Sequence, residues 1–571
     1  MKFNILTGCQ KNPGGRVNEA TITLLIVFAC ALVLRLYHVQ HYDLWFDELS
    51  TDNYTFQNLT RTIDPLKVTK GPVFFDRMKS DPHSPLYYTV VYFYSIFFGD
   101  GKSLRILSVL FSMLSLGMFY KLARLLFDRR ASVYALLIMM LSPFHIWYAQ
   151  EARAYAMTSF LMLSAVYVYI QALQTNKRFY WICFPVLSTL TLFSGYNSLL
   201  LFIATGAALF FKDYRRHAIK WIISMLVIAE CLLLMRYVLV AQLLFVKTGF
   251  WVQAPSPNAL LYTWMFYTLG YSSRIFHYQM ALPLFLIAFS YGVRAYYRAD
   301  KPKTVVLISL LFFPVMATYI LSKLSTPIYI HRQLFIYSSF YYLFVAKGLA
   351  SIRNLKVQMV LVLCIGALMG ASLVNYYQGS IIHEGNRPDV MLGVLQKKNY
   401  DDLMMKMVDN FEDGDYVAAG DLQSYVITHS YVAKHFEPYN DIPLKMFSLF
   451  SCAKALQSFA KHYLMIDQLV DNIDQTACKY LYGFALLSDG KMGAAKIDLK
   501  NRGYQRIWLV TSSWIKFPPQ ELESQIVRKH LSEGHFNSIA SAERDGIRIE
   551  LYKRFERPQL IEESPLMDEG E

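Results

Sequence analysis

The chain has 571 residues, 54% of them hydrophobic and only 17% charged, which excludes an ordinary soluble domain and points to a polytopic membrane protein. The formal net charge of +14 suggests nucleic acid in a soluble protein. Here the basic residues sit mostly in short connectors between apolar runs, so membrane orientation accounts for them and no nucleic-acid partner is expected.

Residues 1–19 are polar and read as a cytoplasmic N-terminus. The apolar stretch from Thr21 to Tyr37 lacks a small-residue cleavage site, so it is expected to remain as an anchor. Runs of roughly 17–25 apolar residues span a bilayer as helices. About eleven are expected, near 20–38, 104–126, 131–148, 155–173, 179–194, 197–211, 219–245, 280–297, 304–323, 333–350 and 357–377. Leu86–Phe98 is too short to cross and is rich in Tyr and Phe, so it reads as a helix lying in the interface. It belongs to a first outer loop, 39–103.

That choice sets the topology. With it, the short connectors on the N-terminal side hold 20 Lys or Arg, whereas those opposite hold five: Arg153, Lys247, Arg274, Lys323 and Arg332. If 86–98 crossed, every later connector would change sides and the positive-inside rule would fail throughout. The region 378–571 is therefore expected outside the cytoplasm. It carries strand-like pieces at Tyr416–Ala419, Ile507–Thr511 and Ile547–Tyr552, helical patterns at 400–410 and 519–533, and an acidic tail from Glu562. It is long enough for its own α/β core. Cys452 and Cys478 in this region have the option of a disulfide, which spacing does not establish.

Several polar residues are expected on the outer face. Asp47-Glu48 in LWFDELS follows the first span. The plain reading is a solvated loop pair beside an interfacial Trp45. The chemical one is a carboxylate base that takes a proton from an attacking hydroxyl or amine. His83 in HSPLYY precedes the interfacial helix, where a ring and open backbone N–H groups suit a phosphate, although a lone histidine is usually a surface or capping residue. Arg105 opens the next span and reads equally well as a snorkelling anchor. YAQEARAY puts Gln150, Glu151, Arg153 and Tyr155 in one tight outer turn, where polar groups cost free energy unless solvated or paired; a Glu151–Arg153 surface pair is the alternative. Arg332, with His331 beside it, precedes a late span. No one of these is specific, and their coincidence on one side carries the reading.

In this order, an acidic pair after the first span, a (H/K)xPLYY-type string followed by a short run ending in FG, an LR opening the second span, QExRxY after the third and a late Arg resemble the GT-C membrane glycosyltransferases. The protein mannosyltransferase-like family and the bacterial lipid A aminoarabinose transferases are the nearest in pattern. The resemblance covers about 20–375 and is sharpest across 42–160. It implies a polyprenyl-phosphate-linked sugar donor and inverting transfer on the outer face to a lipid, glycan or protein acceptor. Asp47 would be the base, supported by Glu48. His83, Arg105, Arg153 and Arg332 would surround the leaving phosphate, with Gln150, Glu151 and Tyr155 beside them. HSP replaces the double proline of many relatives. No cofactor is implied, although oligosaccharyltransferases of this class use a divalent metal and leave Asp47 open as a ligand.

The expectation is thus a polytopic α-helical, GT-C-like membrane protein with interfacial helices in its first outer loop and a soluble C-terminal α/β domain. It is placed in a bacterial inner membrane with the C-terminal domain periplasmic. Two rivals are a transporter or flippase, which calls for mid-membrane charges and related halves, and a receptor acting through 378–571.

Overall fold

A computed structural model describes residues 19–56, 83–247, 252, 254–379, 401–412, 415–419, 424, 427–428, 485–486, 492–493, 505–512, 528, 531–532, 535–544, 547–555 and 564–565. The N-terminus expected to be cytoplasmic, residues 57–82, the Cys452–Cys478 pair, most of the helical pattern expected at 519–533 and most of the acidic tail lie outside the described residues.

Helices occupy every position where the apolar runs place them: α1 (Glu19–Leu36), α2 (Phe46–Asp52), α3 (Pro85–Phe98), α4 (Leu104–Leu126), α5 (Arg129–Leu141), α6 (Pro143–Ala149), α7 (Tyr155–Thr175), α8 (Arg178–Ser194), α9 (Ser198–Thr205), α10 (Ala218–Leu234), α11 (Arg236–Lys247), α12 (Ala259–Leu269), α13 (Ile275–Ala299), α14 (Lys301–Leu324), α15 (Ser338–Ser351) and α16 (Leu355–Tyr377). The chain is an integral membrane protein. Among the described residues, five helices are long and apolar enough to cross a bilayer, or seven if two bent pairs each count as one span. The expected count of about eleven is therefore matched in position but not in full length. The run 131–148 is α5 and α6 meeting at 57°, and 219–245 is α10 and α11 meeting at 75°.

The first bend has a local cause. Pro143 has no N–H and its ring clashes with the preceding turn, while Ser142 Oγ accepts from His145 N at 3.3 Å and starts α6 afresh. The Met139 carbonyl thereby loses its i+4 donor. Arg35 of α1, wholly buried, supplies the replacement: Nη2 donates to Met139 O at 3.3 Å and Nη1 to Met140 O at 3.4 Å, with Nε on Ser112 Oγ at 2.8 Å. Arg35→Met is expected to lower stability by about 1–3 kcal/mol, the usual cost of stranding a buried acceptor. The check is thermal unfolding in detergent, where an unchanged midpoint would refute the capping role.

The α12 helix was not expected from the sequence. At 11 residues, ALLYTWMFYTL is too short to span, yet most of it is buried. Its Tyr267 hydroxyl donates to Leu334 O at 2.6 Å, in the 3-10 turn His331–Tyr337 that leads into α15.

By packing, the chain divides into two units. One holds residues 1–41 and 51–396, and the other 42–50 and 397–571. The sequence reading had kept 42–50 with the transmembrane part. Instead Leu44 and Leu49 are buried in a core with Leu403, Met404 and Met407 of α17 (Asp401–Asp409) and with Trp508, Val510, Ile549 and Leu551. Those last residues belong to a mixed five-stranded sheet of β1 (Tyr416–Ala419), β2 (Arg506–Ser512), β3 (Phe536–Arg544), β4 (Ile547–Arg554) and β5 (Ser564–Pro565), in the order β1-β2-β4-β3-β5. The β3–β4 pair is an antiparallel hairpin and β1–β2 is parallel. The three strands expected from sequence are β1, β2 and β4. Trp508 is fully buried because its indole N–H has a partner, Asp415 Oδ2 at 2.7 Å.

Candidate active site

Asp47 and Glu48 do not lie in a loop. They form the first turn of α2, where carboxylates suit the positive end of the helix dipole. Glu48 is fully buried, and its Oε2 accepts from Trp45 N at 3.4 Å, the backward half of a capping box. Asp47 keeps 9% exposure, enough to reach solvent, so of the two it is the better placed to exchange a proton. Within α2, the spacing of four puts Asp47 and Thr51 on one face.

The last turn of α2 is tied down by its own partners. Thr51 Oγ1 accepts from Arg153 Nη1 at 3.1 Å, and Asp52 Oδ1 accepts from Gly101 N at 2.6 Å. Arg153 is the hub. Its Nη1 also donates to the Tyr88 hydroxyl at 3.2 Å, and its Nη2 donates to His83 Nε2. Arginine has no acceptor, so His83 Nε2 accepts in this pair. Tyr88 is held in turn by stacking on Tyr54, with ring centroids 4.1 Å apart. Arg153 is nearly buried and His83 half-buried. The α11 helix contributes as well: Gln242 Nε2 donates to His83 O at 3.0 Å.

A second cluster surrounds Tyr271, in the turn after α12. Its hydroxyl bonds to the Tyr148 hydroxyl at 2.6 Å, and Tyr155 packs against the Tyr148 ring at 4.6 Å. Burial pushes the Tyr271 hydroxyl well above its ordinary pKa. Its bond to Tyr148 opposes that shift, the Glu151 carboxylate and Tyr155 add to it, and the Arg332 guanidinium opposes it. Glu151, Tyr155 and Arg332 thus share one electrostatic neighbourhood. His331 supplies no charge beside Arg332. Burial pulls its imidazole down to about 3, and its Nδ1 pairs with Thr263 Oγ1 at 3.0 Å, so it is neutral at physiological pH.

Two expected substrate contacts have other work. Gln150 bonds to the backbone of Arg35 and Tyr37, and Arg105, almost fully buried, donates to Val39 O. Sequence reasoning missed Thr51, Asp52, Tyr88, Tyr271 and Gln242. Tyr88 was visible as the last residue of HSPLYY, and Thr51 through its helical spacing from Asp47. Among the described residues, no three His, Cys, Asp or Glu side chains form a metal-ligating group.

Residues 83–240, from His83 through Arg153 to α11, match the family model described as dolichyl-phosphate-mannose-protein mannosyltransferase. No curated protein matches the chain by sequence. Among solved structures, it resembles ArnT from Cupriavidus metallidurans in the apo state, at TM-score 0.57 and 10% identity, over 94% of this chain and 98% of that one. The same protein bound to undecaprenyl phosphate superimposes at 0.53, with 12% identity over 93% and 98%. The archaeal oligosaccharyltransferase AglB from Archaeoglobus fulgidus, in complex with an inhibitory peptide and a dolichol-phosphate, gives 0.50 and 11% identity over 94% and 74%. At these identities the likeness is one of fold.

Proposed function

We propose that this chain, whose fold resembles that of ArnT and whose residues 83–240 match the mannosyltransferase model, is a GT-C-type membrane glycosyltransferase that transfers a sugar from a polyprenyl-phosphate carrier to an acceptor outside the cytoplasm. The observation that carries this reading is the joining of Arg153 and His83, 70 residues apart, inside the segment that matches the family model. The acceptor oxygen or nitrogen attacks the anomeric carbon from the side opposite the phosphate, and the carbon–oxygen bond to the phosphate breaks, so the centre inverts. Asp47 takes the acceptor's proton, and Glu48 holds the start of α2. Arg153 and Arg332 meet the charge that develops on the leaving phosphate. A phosphate oxygen arriving at Arg153 takes the place of the His83 ring as acceptor. Solved structures with this fold hold undecaprenyl phosphate or a dolichol-phosphate, which is the donor chemistry the reading requires.

The membrane is taken to be a bacterial inner membrane, with the N-terminus cytoplasmic and residues 378–571 periplasmic. Arg153→Ala and Arg332→Ala are each expected to weaken undecaprenyl phosphate binding at least tenfold, because each removes a charge-assisted contact of about 1.5–3 kcal/mol. Unchanged affinity in both would remove the clamp from the mechanism. The function itself is tested by mass spectrometry of envelope glycolipids and glycoproteins from a deletion strain. One sugar should be missing, and an unaltered profile would overturn the assignment.

A further inference from the structure

The C-terminal end of a helix leaves carbonyls that no helical N–H can reach. At the end of α1 and just beyond it, several carbonyls are taken by side chains from three other parts of the chain. Gln150 Nε2 donates to Arg35 O at 2.9 Å and to Tyr37 O at 2.7 Å. Arg105 Nη1 donates to Val39 O at 3.0 Å, and the Tyr377 hydroxyl donates to Leu34 O. Tyr376 completes the set by donating its hydroxyl to Gln150 Oε1 at 2.7 Å. That bond fixes which way the amide points, and a primary amide has two N–H groups. Both are used on backbone, so Gln150 has none to offer a phosphate while this arrangement holds.

Between these anchors His38 has φ 59°. A residue with a Cβ occupies the left-handed region at a cost of order 1–3 kcal/mol and stays there only where its surroundings enforce it. Side chains on both flanks, at Tyr37 and Val39, do so here.

We propose that Gln150, with Tyr376, Tyr377 and Arg105, acts as a positioning group for the transfer, holding residues 34–39 as a rigid exit from which the chain runs on to Asp47 and Glu48. This rests on the reading of Asp47 as base. It gives Gln150 a role through the backbone in place of the phosphate contact implied by resemblance, and gives Arg105 a backbone role as well.

The test uses the full-length protein in lipid nanodiscs for binding and exchange, and the same variants in the deletion strain for product. Gln150→Leu is expected to cut product per enzyme tenfold or more and to speed amide exchange across residues 36–41 at least tenfold. The affinity for undecaprenyl phosphate should stay within twofold of wild type. Tyr376→Phe loses a single O–H and keeps its ring, so it folds where the leucine variant fails; product should fall at least threefold, again with affinity unchanged. A matching loss of undecaprenyl phosphate affinity would make Gln150 a donor contact and overturn the proposal, as would wild-type product and exchange in both variants. A deletion strain that lacks no sugar would instead sink the functional reading, and this role with it.

Discussion

Replacing Asp47 by Asn lowers transfer by about 10²–10⁴-fold, the range expected when a general base is removed, and leaves folding and undecaprenyl phosphate affinity as in wild type. Asn is nearly isosteric and is accepted in the first turn of a helix, so α2 should form as before. What disappears is the proton acceptor. The mechanism uses the carboxylate as a base, so saturating EDTA should leave the wild-type rate unchanged; a loss reversed by added divalent cation would make Asp47 a ligand instead. Glu48→Gln provides the contrast. Its amide oxygen can still accept from Trp45 N, the bond Glu48 makes at 3.4 Å, so a much smaller loss is expected. The measurement is product formation per enzyme. Wild-type rates for Asp47→Asn would end the base assignment.

The second large effect concerns assembly. α13 and α15 cross at Gly292 and Gly348, where the two backbones touch. A Cβ added at Gly292 would fall inside 3.0 Å of the Phe344 carbonyl oxygen, and one added at Gly348 would do the same to the Ala288 carbonyl oxygen. Both obstacles are backbone, so no side chain can rotate away. Membrane helices rely on such small residues because lipid supplies no hydrophobic drive between them. Gly→Ala in a free helix gains about 1 kcal/mol from propensity, whereas overpacking a tight contact costs about 1–3 kcal/mol and at times more. Sterics should therefore win at both positions. Gly292→Ala or Gly348→Ala should lower the unfolding midpoint in detergent, and Gly348→Leu should abolish the folded monomer on size exclusion. Stabilisation by alanine at both positions would show that the crossing is looser than the geometry implies.

The helix positions were legible because an apolar run of spanning length is a local property, readable residue by residue. α4 begins and ends where its run does, at Leu104 and Leu126. Strands β1, β2 and β4 were readable for a similar reason, through alternating and β-branched pieces. The bends were harder. Pro143 was visible, yet whether a proline breaks a helix depends on what takes up the freed carbonyls. Here that is Arg35, more than a hundred residues away.

The candidate site divides the same way. The residue types and their order pointed to carboxylate and cation chemistry, and the structure places Arg153 against His83. A polar residue in a connector looks alike, however, whether it meets a ligand or a backbone carbonyl, and Gln150 and Arg105 meet carbonyls. Nothing in the string LWFDELS signals that Leu44 and Leu49 pack with Trp508 and Met404.

By itself, the sequence determined the membrane class, the positions of the long apolar runs, three strands of the C-terminal unit and the residue types on offer for chemistry. These depend on hydrophobicity and propensity, which neighbouring residues express without help from the rest of the chain. Only the tertiary structure decided which cation touches which ring, which carbonyls are capped and which backbones meet at two glycines. Those outcomes depend on atoms brought within a few ångströms across tens to hundreds of residues, and hydrogen-bond and steric energies are set by that distance and by the angle of approach.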